Sequence, residues 1–292
     1  MTSAQKAVVL GGATGLVGQT LAGVLKDSGW DVRIISRADV DLLAPDADDK
    51  LQAILDQVEP AQIFNAAGYT GVDAAEDEPE AATLLNRTLP AMLGRMAKTR
   101  GCGLVHFSSD FVFNGKKSQP YTTEDGTDPL CVYGKTKLAG EEALLSLDLP
   151  RCAIIRTAWL FGPGGKNFVS TILRICRDKK TVNVVHDQTG SPTYTLDLAQ
   201  YTLKLVEAGG SGLFHIVNSG QASWCELASE AVSLALPECT VMPVPSSAYP
   251  QKAQRPAYSV LDCSELARLT GITPRPWPQA LRDYIFKEFP PE

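Results

Sequence analysis

A short apolar run that breaks into glycines fixes how this chain begins to fold. Ala7-Val8-Val9-Leu10 reads as a strand buried on both faces. Gly11-Gly12-Ala13-Thr14-Gly15-Leu16-Val17-Gly18 follows at once and leads into an amphipathic segment from Val17 to about Lys26. Strand, glycine turn and helix is the opening unit of a parallel sheet with helices on both faces. Glycines there allow the tight turn and let the backbone approach a pyrophosphate, whose charge sits at the helix N-terminus. The spacing is G-x-x-G-x-x-G over Gly12, Gly15 and Gly18, one residue looser than the G-x-G-x-x-G of many dinucleotide sites.

The rest of the chain is long enough to complete such a sheet. With 292 residues, 44% hydrophobic and 21% charged, it holds one large domain or two modest ones. No apolar run reaches the roughly 20 residues that a membrane span needs. The stretch from Met1 to Lys6 runs straight into the first strand and reads as carrying no secretory leader. The seven cysteines are dispersed, with no C-x-x-C pair, which reads as reduced thiols in a cytoplasmic protein. A net charge of −6 argues against nucleic-acid binding and leaves room for an anionic small substrate held by a local cluster of donors.

Strands and helices then alternate. Asp31 to Ile35 is a second strand, ending in Ser36-Arg37, where a cofactor site selective for NAD would tend to place an acid. Serine and arginine suit a 2′-phosphate better, which favours NADPH and leaves NADH open; Arg37 as a solvated loop residue is the alternative. Asp39, Asp41 and Leu42 follow; Asp39 and Asp41 border the adenine or ribose, with Asp41 as a cap of the next turn the alternative. Gln52 to Val58 reads as helix, and Gln62 to Asn65 as a strand running into the small residues Ala66-Ala67-Gly68, then Tyr69 and Thr70. Ligands bind at the carboxyl ends of such strands. Ala74 to Ala97 is mostly helical in pattern and contains Asn86, which either takes part in catalysis or ties helix to strand.

Leu104 to Phe107 is the next strand, with His106 read as a core histidine and Ser108-Ser109-Asp110 at its end. A hydroxyl there is placed to hold a substrate carbonyl. Gly115 to Pro129 is a surface loop. Tyr133-Gly134-Lys135-Thr136-Lys137 opens the following helix, and its phenol and ammonium, four positions apart, share one face. That spacing lets Lys137 favour the phenolate of Tyr133 and bring a phenol of ordinary pKa about 10 closer to neutrality. Cys152 to Arg156 is a further strand, and Asn167-Phe168 begins a helix to about Arg177. Beyond it, Thr181 to Val185 and Leu213 to Val217 read as strands around a helix from Leu196 to Ala208. Pro243 to Pro256 reads as irregular, and two helical patterns close the chain, near Ser264 to Leu269 and Trp277 to Phe289.

The fold class is therefore α/β, a Rossmann-type doubly wound parallel sheet with a smaller C-terminal α/β substrate-binding region. The division expected is residues 1–160 for the cofactor domain, with 181–218 returning to it, and 161–292 mainly for substrate.

Glycine turn, strand-end hydroxyl and Y-x-x-x-K together resemble the extended short-chain dehydrogenase/reductase superfamily. Within it the chain is similar nearly end to end to the dTDP-4-dehydrorhamnose reductase family. The likeness runs through Asn65-Ala66-Ala67, Val72-Asp73, His106 to Phe113, Val132 to Glu141, Arg156-Thr157-Ala158-Trp159, Asn167-Phe168, Asp187-Gln188 through Pro192-Thr193, and Arg255-Pro256. Ser109 stands where the family usually has threonine.

The resemblance implies reduction of a 4-keto sugar nucleotide by hydride from NADPH. Tyr133 would give the proton, Lys137 would lower its pKa and hold the nicotinamide ribose, and Ser109 would align the carbonyl. It places Gly12, Gly15, Leu16, Val17 and Gly18 along the pyrophosphate, Ser36, Arg37, Asp41 and Leu42 near the adenosine ribose, and Gly68, Tyr69 and Thr70 beside the nicotinamide ribose. Val72, Asp110, Trp159, Asn167 and Arg255 would meet the nucleotide sugar, the last two at its diphosphate. Trp159 as a core aromatic and Arg255 as a surface ion pair are the plainer readings. Some members dimerise through magnesium, and a homodimer is compatible with the likeness. Gln19 and Thr20 replace the acids expected near the glycine turn, so no metal is expected there. An epimerase or 4,6-dehydratase is a related alternative, though Asp110 is followed by Phe111 and not by the second carboxylate of dehydratases. A regulatory subunit similar to that of methionine adenosyltransferase is the non-catalytic alternative.

Overall fold

The computed structural model describes residues 4–289; Met1–Ser3, part of the opening stretch read above, lie outside the described residues. Five runs form parallel strands: β1 (Lys6–Leu10), β2 (Asp31–Ile35), β3 (Gln62–Asn65), β4 (Gly103–Ser109) and β5 (Cys152–Thr157). Gly212–His215 adds a sixth, and the spatial order is β2, β1, β3, β4, β5, Gly212–His215. All five pairings are parallel. β3, β4 and β5 are buried at every position, which is why they read as continuous apolar runs.

Helices cover both faces. On one, α1 (Leu16–Asp27) and α7 (Thr195–Glu207) pack Leu21, Leu25, Leu198 and Leu203 onto Val9, Phe64, Val105 and Ile155. On the other, α2 (Ala47–Val58), α4 (Leu89–Arg100) and α5 (Val132–Leu145) pack Leu51, Leu55, Leu93 and Leu144 onto Val8, Leu10, Ile63 and Ile154. The winding direction reverses between β1 and β3, so a crevice opens at their carboxyl ends. The span read as mostly helical from Ala74 is helical in pieces: a 3₁₀ turn at Ala74–Glu76, α3 (Pro79–Thr83), a π turn at Leu84–Thr88, then α4.

The later chain builds a second core from α6 (Phe168–Asp178), α8 (Trp224–Ala235) and the helix Trp277–Glu288. Two expectations need correction here. Thr181–Val185 does not return to the main sheet; it pairs in parallel with Thr240–Val244 in a separate two-stranded sheet. That second strand lies partly in the stretch read as irregular, because Pro243 can occupy an edge where no ladder donor is needed. What rejoins the large sheet is α7 and Gly212–His215.

Candidate active site

The glycine turn after β1 is held by backbone packing. Gly11 has φ +78°, a region closed to most side chains, and a Cβ there would lie 2.7 Å from the Ala66 carbonyl. The Gly11 carbonyl accepts from the Gly15 N–H at 3.0 Å. Its oxygen would also lie 2.6 Å from a Cβ on Gly15 and would clash with one on Gly18. Gly15 is the N-cap of α1 without a side-chain hydrogen bond, and no acid stands in the first turn. Leu16, Val17 and Gly18 form that turn, so the helix end presents backbone donors and positive dipole, which suit a diphosphate. Gly11 was not singled out in the sequence; the adjacent Gly11-Gly12 pair was its only signal.

At the end of β2 the Ser36 N–H and hydroxyl donate to Asp39, at 2.8 and 2.6 Å. Arg37 is exposed and forms no ion pair among the described residues. Asp41 accepts from the Leu43 N–H at 3.1 Å, closing its own turn, while Leu42 packs partly onto the α2 core.

Beyond β3 the chain passes Gly68, Tyr69 and Thr70 across the mouth of the crevice. Asn86, from the π turn, accepts from the Tyr69 N–H at 2.9 Å and donates to the Tyr69 carbonyl at 3.1 Å and the Thr136 hydroxyl at 3.1 Å. A fully buried asparagine thus ties this loop to α5. A Cβ added to Gly68 would lie 3.2 Å from Lys137 Nζ, so the loop backbone and the ammonium are neighbours.

β4 ends on Ser109 and α5 begins at Val132, which brings Ser109, Asp110, Tyr133 and Lys137 together. Ser109 donates to Asp110 Oδ1 at 2.9 Å, and Ser259 donates to Asp110 Oδ2 at 2.6 Å. Burial pushes the Asp110 carboxyl up to about 6 against these two hydrogen bonds. Lys137, 5% exposed, donates to the Phe107 carbonyl at 2.8 Å, and burial brings its ammonium down to about 8, opposed by Glu141. Burial pushes the Tyr133 phenol up to about 12, with the Ser109 hydroxyl opposing and the Asp110 charge adding to the rise. The expectation of a phenolate favoured by Lys137 is therefore corrected. Desolvation is the largest cause of the shift, and the phenol stays protonated at neutral pH. A protonated phenol is the form that gives a proton away.

The remaining predicted residues divide. Val72 and Tyr133 share a small apolar cluster with Ala253, which brings a C-terminal segment against the phenol. Trp159 has φ +46°, rare for an aromatic residue, and stacks on Trp224 with centroids 3.5 Å apart and planes 2° apart. Trp224 was missed, though Ser223-x-x-Glu226 before an apolar run is a capping box and the structure forms it. Asn167 caps α6: its oxygen accepts from the Ser170 N–H at 3.0 Å, and its amide donates to the Gly162 carbonyl at 2.9 Å and the Tyr284 hydroxyl at 3.1 Å. Its polar atoms are engaged by the chain itself. Arg255 pairs with both oxygens of Asp73 at 2.9 and 3.1 Å, which holds the Asp73 carboxyl at about 2. The ion-pair reading of Arg255 is the one seen here, and it joins the C-terminal segment to the loop after β3. No cluster of three or more potential metal ligands occurs among the described residues.

A family model described as the RmlD substrate binding domain matches residues 6–289. The chain is 39% identical to dTDP-4-dehydrorhamnose reductase of Mycolicibacterium smegmatis, covering 95% of this chain and 84% of the relative. It is also 39% identical to dTDP-4-keto-6-deoxy-D-glucose reductase of Streptomyces niveus, covering 92% and 93%. The crystal structure of dTDP-4-dehydrorhamnose reductase from Bacillus anthracis in complex with NADP superposes with a TM-score of 0.92 at 30% identity, covering 97% and 99%.

Proposed function

Because the chain belongs to the RmlD substrate binding domain family, we propose that it is an NADPH-dependent oxidoreductase. On this reading it reduces the 4-keto group of dTDP-4-dehydro-6-deoxy-L-mannose to dTDP-L-rhamnose, for cell-surface polysaccharide. The observation that carries the reading is the convergence of the buried Tyr133, one turn before the buried Lys137 on α5, with Ser109 at the carboxyl end of β4.

The glycine turn and the uncapped start of α1 fit a dinucleotide diphosphate, and Gly68, Tyr69 and Thr70 fit its nicotinamide ribose. When bound, NADPH supplies hydride to the carbonyl carbon. Ser109 turns its hydroxyl from Asp110 to the carbonyl oxygen and holds it in line with Tyr133. Tyr133 gives its proton to that oxygen as the alkoxide develops. Lys137, charged below about pH 8, stabilises the tyrosinate left behind and holds the ribose hydroxyls. Val72, Asp110 and Trp159 face the nucleotide sugar. Arg255 reaches its diphosphate only by leaving Asp73, and Asn167 acts through the shape of the loop it caps. Residues 1–160 with 193–218 form the cofactor domain and the remainder covers the substrate. All seven cysteines are free, which suits the cytoplasm.

A second reading keeps the chemistry and changes the sugar, since the Streptomyces niveus relative is a dTDP-4-keto-6-deoxy-D-glucose reductase. The test follows NADPH absorbance with enzymatically generated dTDP-4-keto-6-deoxy-L- and D-sugars, for the wild type and Tyr133→Phe. Oxidation with the L-sugar that collapses in the variant supports the proposal. Oxidation with the D-sugar alone moves it to the second reading, and oxidation unchanged in the variant removes Tyr133 as proton donor.

A further inference from the structure

Behind the candidate site, a buried polar layer lies between α5 and the carboxyl ends of β4 and β5. Glu141, 1% exposed and one turn after Lys137 on α5, accepts from three donors in that layer. Arg156 Nε donates to Oε1 at 2.9 Å and Arg156 Nη2 to Oε2 at 2.6 Å, and the Ser108 hydroxyl also donates to Oε1. Ser108 and Arg156 stand opposite each other in the β4–β5 ladder, so one carboxylate spans both strand ends. On either side of Ser108 in β4 are Ser109 and Phe107, whose carbonyl accepts from the Lys137 ammonium at 2.8 Å. The Arg156 guanidinium also lies over the Phe113 ring, 5.0 Å from its centroid. Apolar residues of like volume fill a core as well as a buried ion pair does, so stability alone does not explain this one.

We propose that Glu141 is a positioning residue for the reduction: held by Arg156 and Ser108, its carboxylate is the counter-charge that keeps the Lys137 ammonium charged one turn behind Tyr133. The inference rests on the reductase reading above. One carboxylate thus serves two buried cations, Lys137 on its own helix and Arg156 on β5.

The other groups around Lys137 do not take this part. Burial holds His106 on β4 well below its ordinary range, and the Lys137 charge adds to that, so the imidazole is neutral. Tyr133 stays protonated to about 12. Asp110, after β4, ionises near 6, below the interval in which Lys137 titrates, and its charge bears on Tyr133. The loop after β3 and the π turn bring the Gly68 backbone and the neutral Asn86 amide. Burial brings Lys137 down to about 8, and Glu141 is the charge that opposes the fall.

The experiment labels lysine with carbon-13 at Cε and follows Lys137 against pH by NMR, in the full-length chain without dinucleotide. Lys137→Arg assigns the resonance. The wild type is expected to titrate near 8, and Glu141→Gln about one pH unit lower. Because Glu141→Gln leaves a buried guanidinium unpaired and risks unfolding, Glu141→Gln/Arg156→Met removes both charges together. Its midpoint is expected to fall as well. In steady-state kinetics with NADPH and the keto sugar, kcat/KM of the variants should drop about fivefold at about pH 8 and little at about pH 6. A wild-type midpoint in the double variant, or losses equal at both pH values, would overturn the role of Glu141 and leave the reductase reading standing. A lowered midpoint in a chain that reduces neither keto sugar would overturn the reductase reading, and the role in reduction with it.

Discussion

Asn86 binds both polar edges of the Tyr69 peptide unit, accepting from its N–H at 2.9 Å and donating to its carbonyl at 3.1 Å. The same amide donates to Thr136, whose hydroxyl donates in turn to the Tyr133 carbonyl at 2.9 Å. One buried side chain thus sets the distance between the loop that would hold the nicotinamide ribose and the helix that carries Tyr133 and Lys137.

Asn86→Ala is expected to destabilise the chain by about 2 kcal/mol, because buried partners lose their hydrogen bonds. Urea denaturation reads that loss. Because the loop carrying Gly68 is no longer tied to α5, KM for the dinucleotide should rise more than kcat falls. A variant of wild-type stability and kinetics would mean that water or a neighbour replaces the amide.

The pH response should follow Lys137 before Tyr133. Its ammonium is brought from an ordinary 10.5 to about 8, so between those values the unfolded chain holds a proton that the folded chain has lost. Stability attributable to Lys137 therefore rises as pH climbs from about 8 towards 10.5, by about 3 kcal/mol in full. Activity runs the other way. Reduction should fall off above about pH 8 as the ammonium is lost, while the phenol stays protonated to about 12. A limb of kcat/KM near pH 10 with no inflection near 8 would contradict this assignment.

Much of the architecture was legible and much of the site's electrostatics was not, for separable reasons. β1, β3, β4 and β5 declare themselves because strands buried on both faces are mostly apolar, while the edge strand β2 shows itself by alternation. Tyr133 and Lys137 share a face because of helical period alone. The pairing partner of Thr181–Val185 is decided by tertiary packing, and nothing within those five residues distinguishes one parallel neighbour from another. α8 was overlooked although its capping box is written in the sequence. The upward shift of the Tyr133 phenol could not be read, since spacing reveals a nearby ammonium but not the depth at which both groups are buried. The union of Asp39 with Ser36, and of Arg255 with Asp73, likewise depends on which of several available partners the fold brings within reach.

Asp110 gives a contrast to Lys137. Burial raises its carboxyl from 3.8 to about 6, so across that interval the folded chain binds the proton that the unfolded chain releases. Stability attributable to Asp110 falls as pH rises through the interval, by about 3 kcal/mol in full. Asp110→Asn removes that cost and keeps the shape, so the variant should gain on the wild type between pH 4 and pH 7 in chemical denaturation. Its kcat should drop, because Ser109 then faces an amide that no longer accepts equally on both sides.

Arg255→Ala breaks the ion pair with Asp73 and leaves the Lys252–Asp77 pair as the remaining charged tie to that loop. Asp73 is nearly half exposed, so the loss in stability should be about 1 kcal/mol or less and should fade in high salt. The functional loss is expected to be larger. Ala253 packs in the same cluster as Tyr133, and loosening the segment would admit water beside the phenol. KM for the nucleotide sugar should rise severalfold in steady-state kinetics, with dinucleotide affinity unchanged.

The last prediction concerns a stack. Trp159 lies on Trp224 with centroids 3.5 Å apart, and Gly190 is so close that an added Cβ would fall within the indole, 2.5 Å from Nε1. The left-handed backbone of Trp159 costs about 1–3 kcal/mol, and that conformation lasts only while its surroundings hold it. Gly190→Ala must therefore push the indole away from Gly190 or force the loop outward, at about 1–3 kcal/mol. Intrinsic fluorescence should change as the stacked pair is disturbed. Gly190 pairs with Ala222 in a two-stranded sheet separate from the main one, so far-ultraviolet circular dichroism should be preserved. If Trp159 shapes the sugar pocket, kcat/KM for the nucleotide sugar should fall at least about tenfold while NADP+ binds as before. Full activity with altered fluorescence would return Trp159 to the plainer role of a core aromatic.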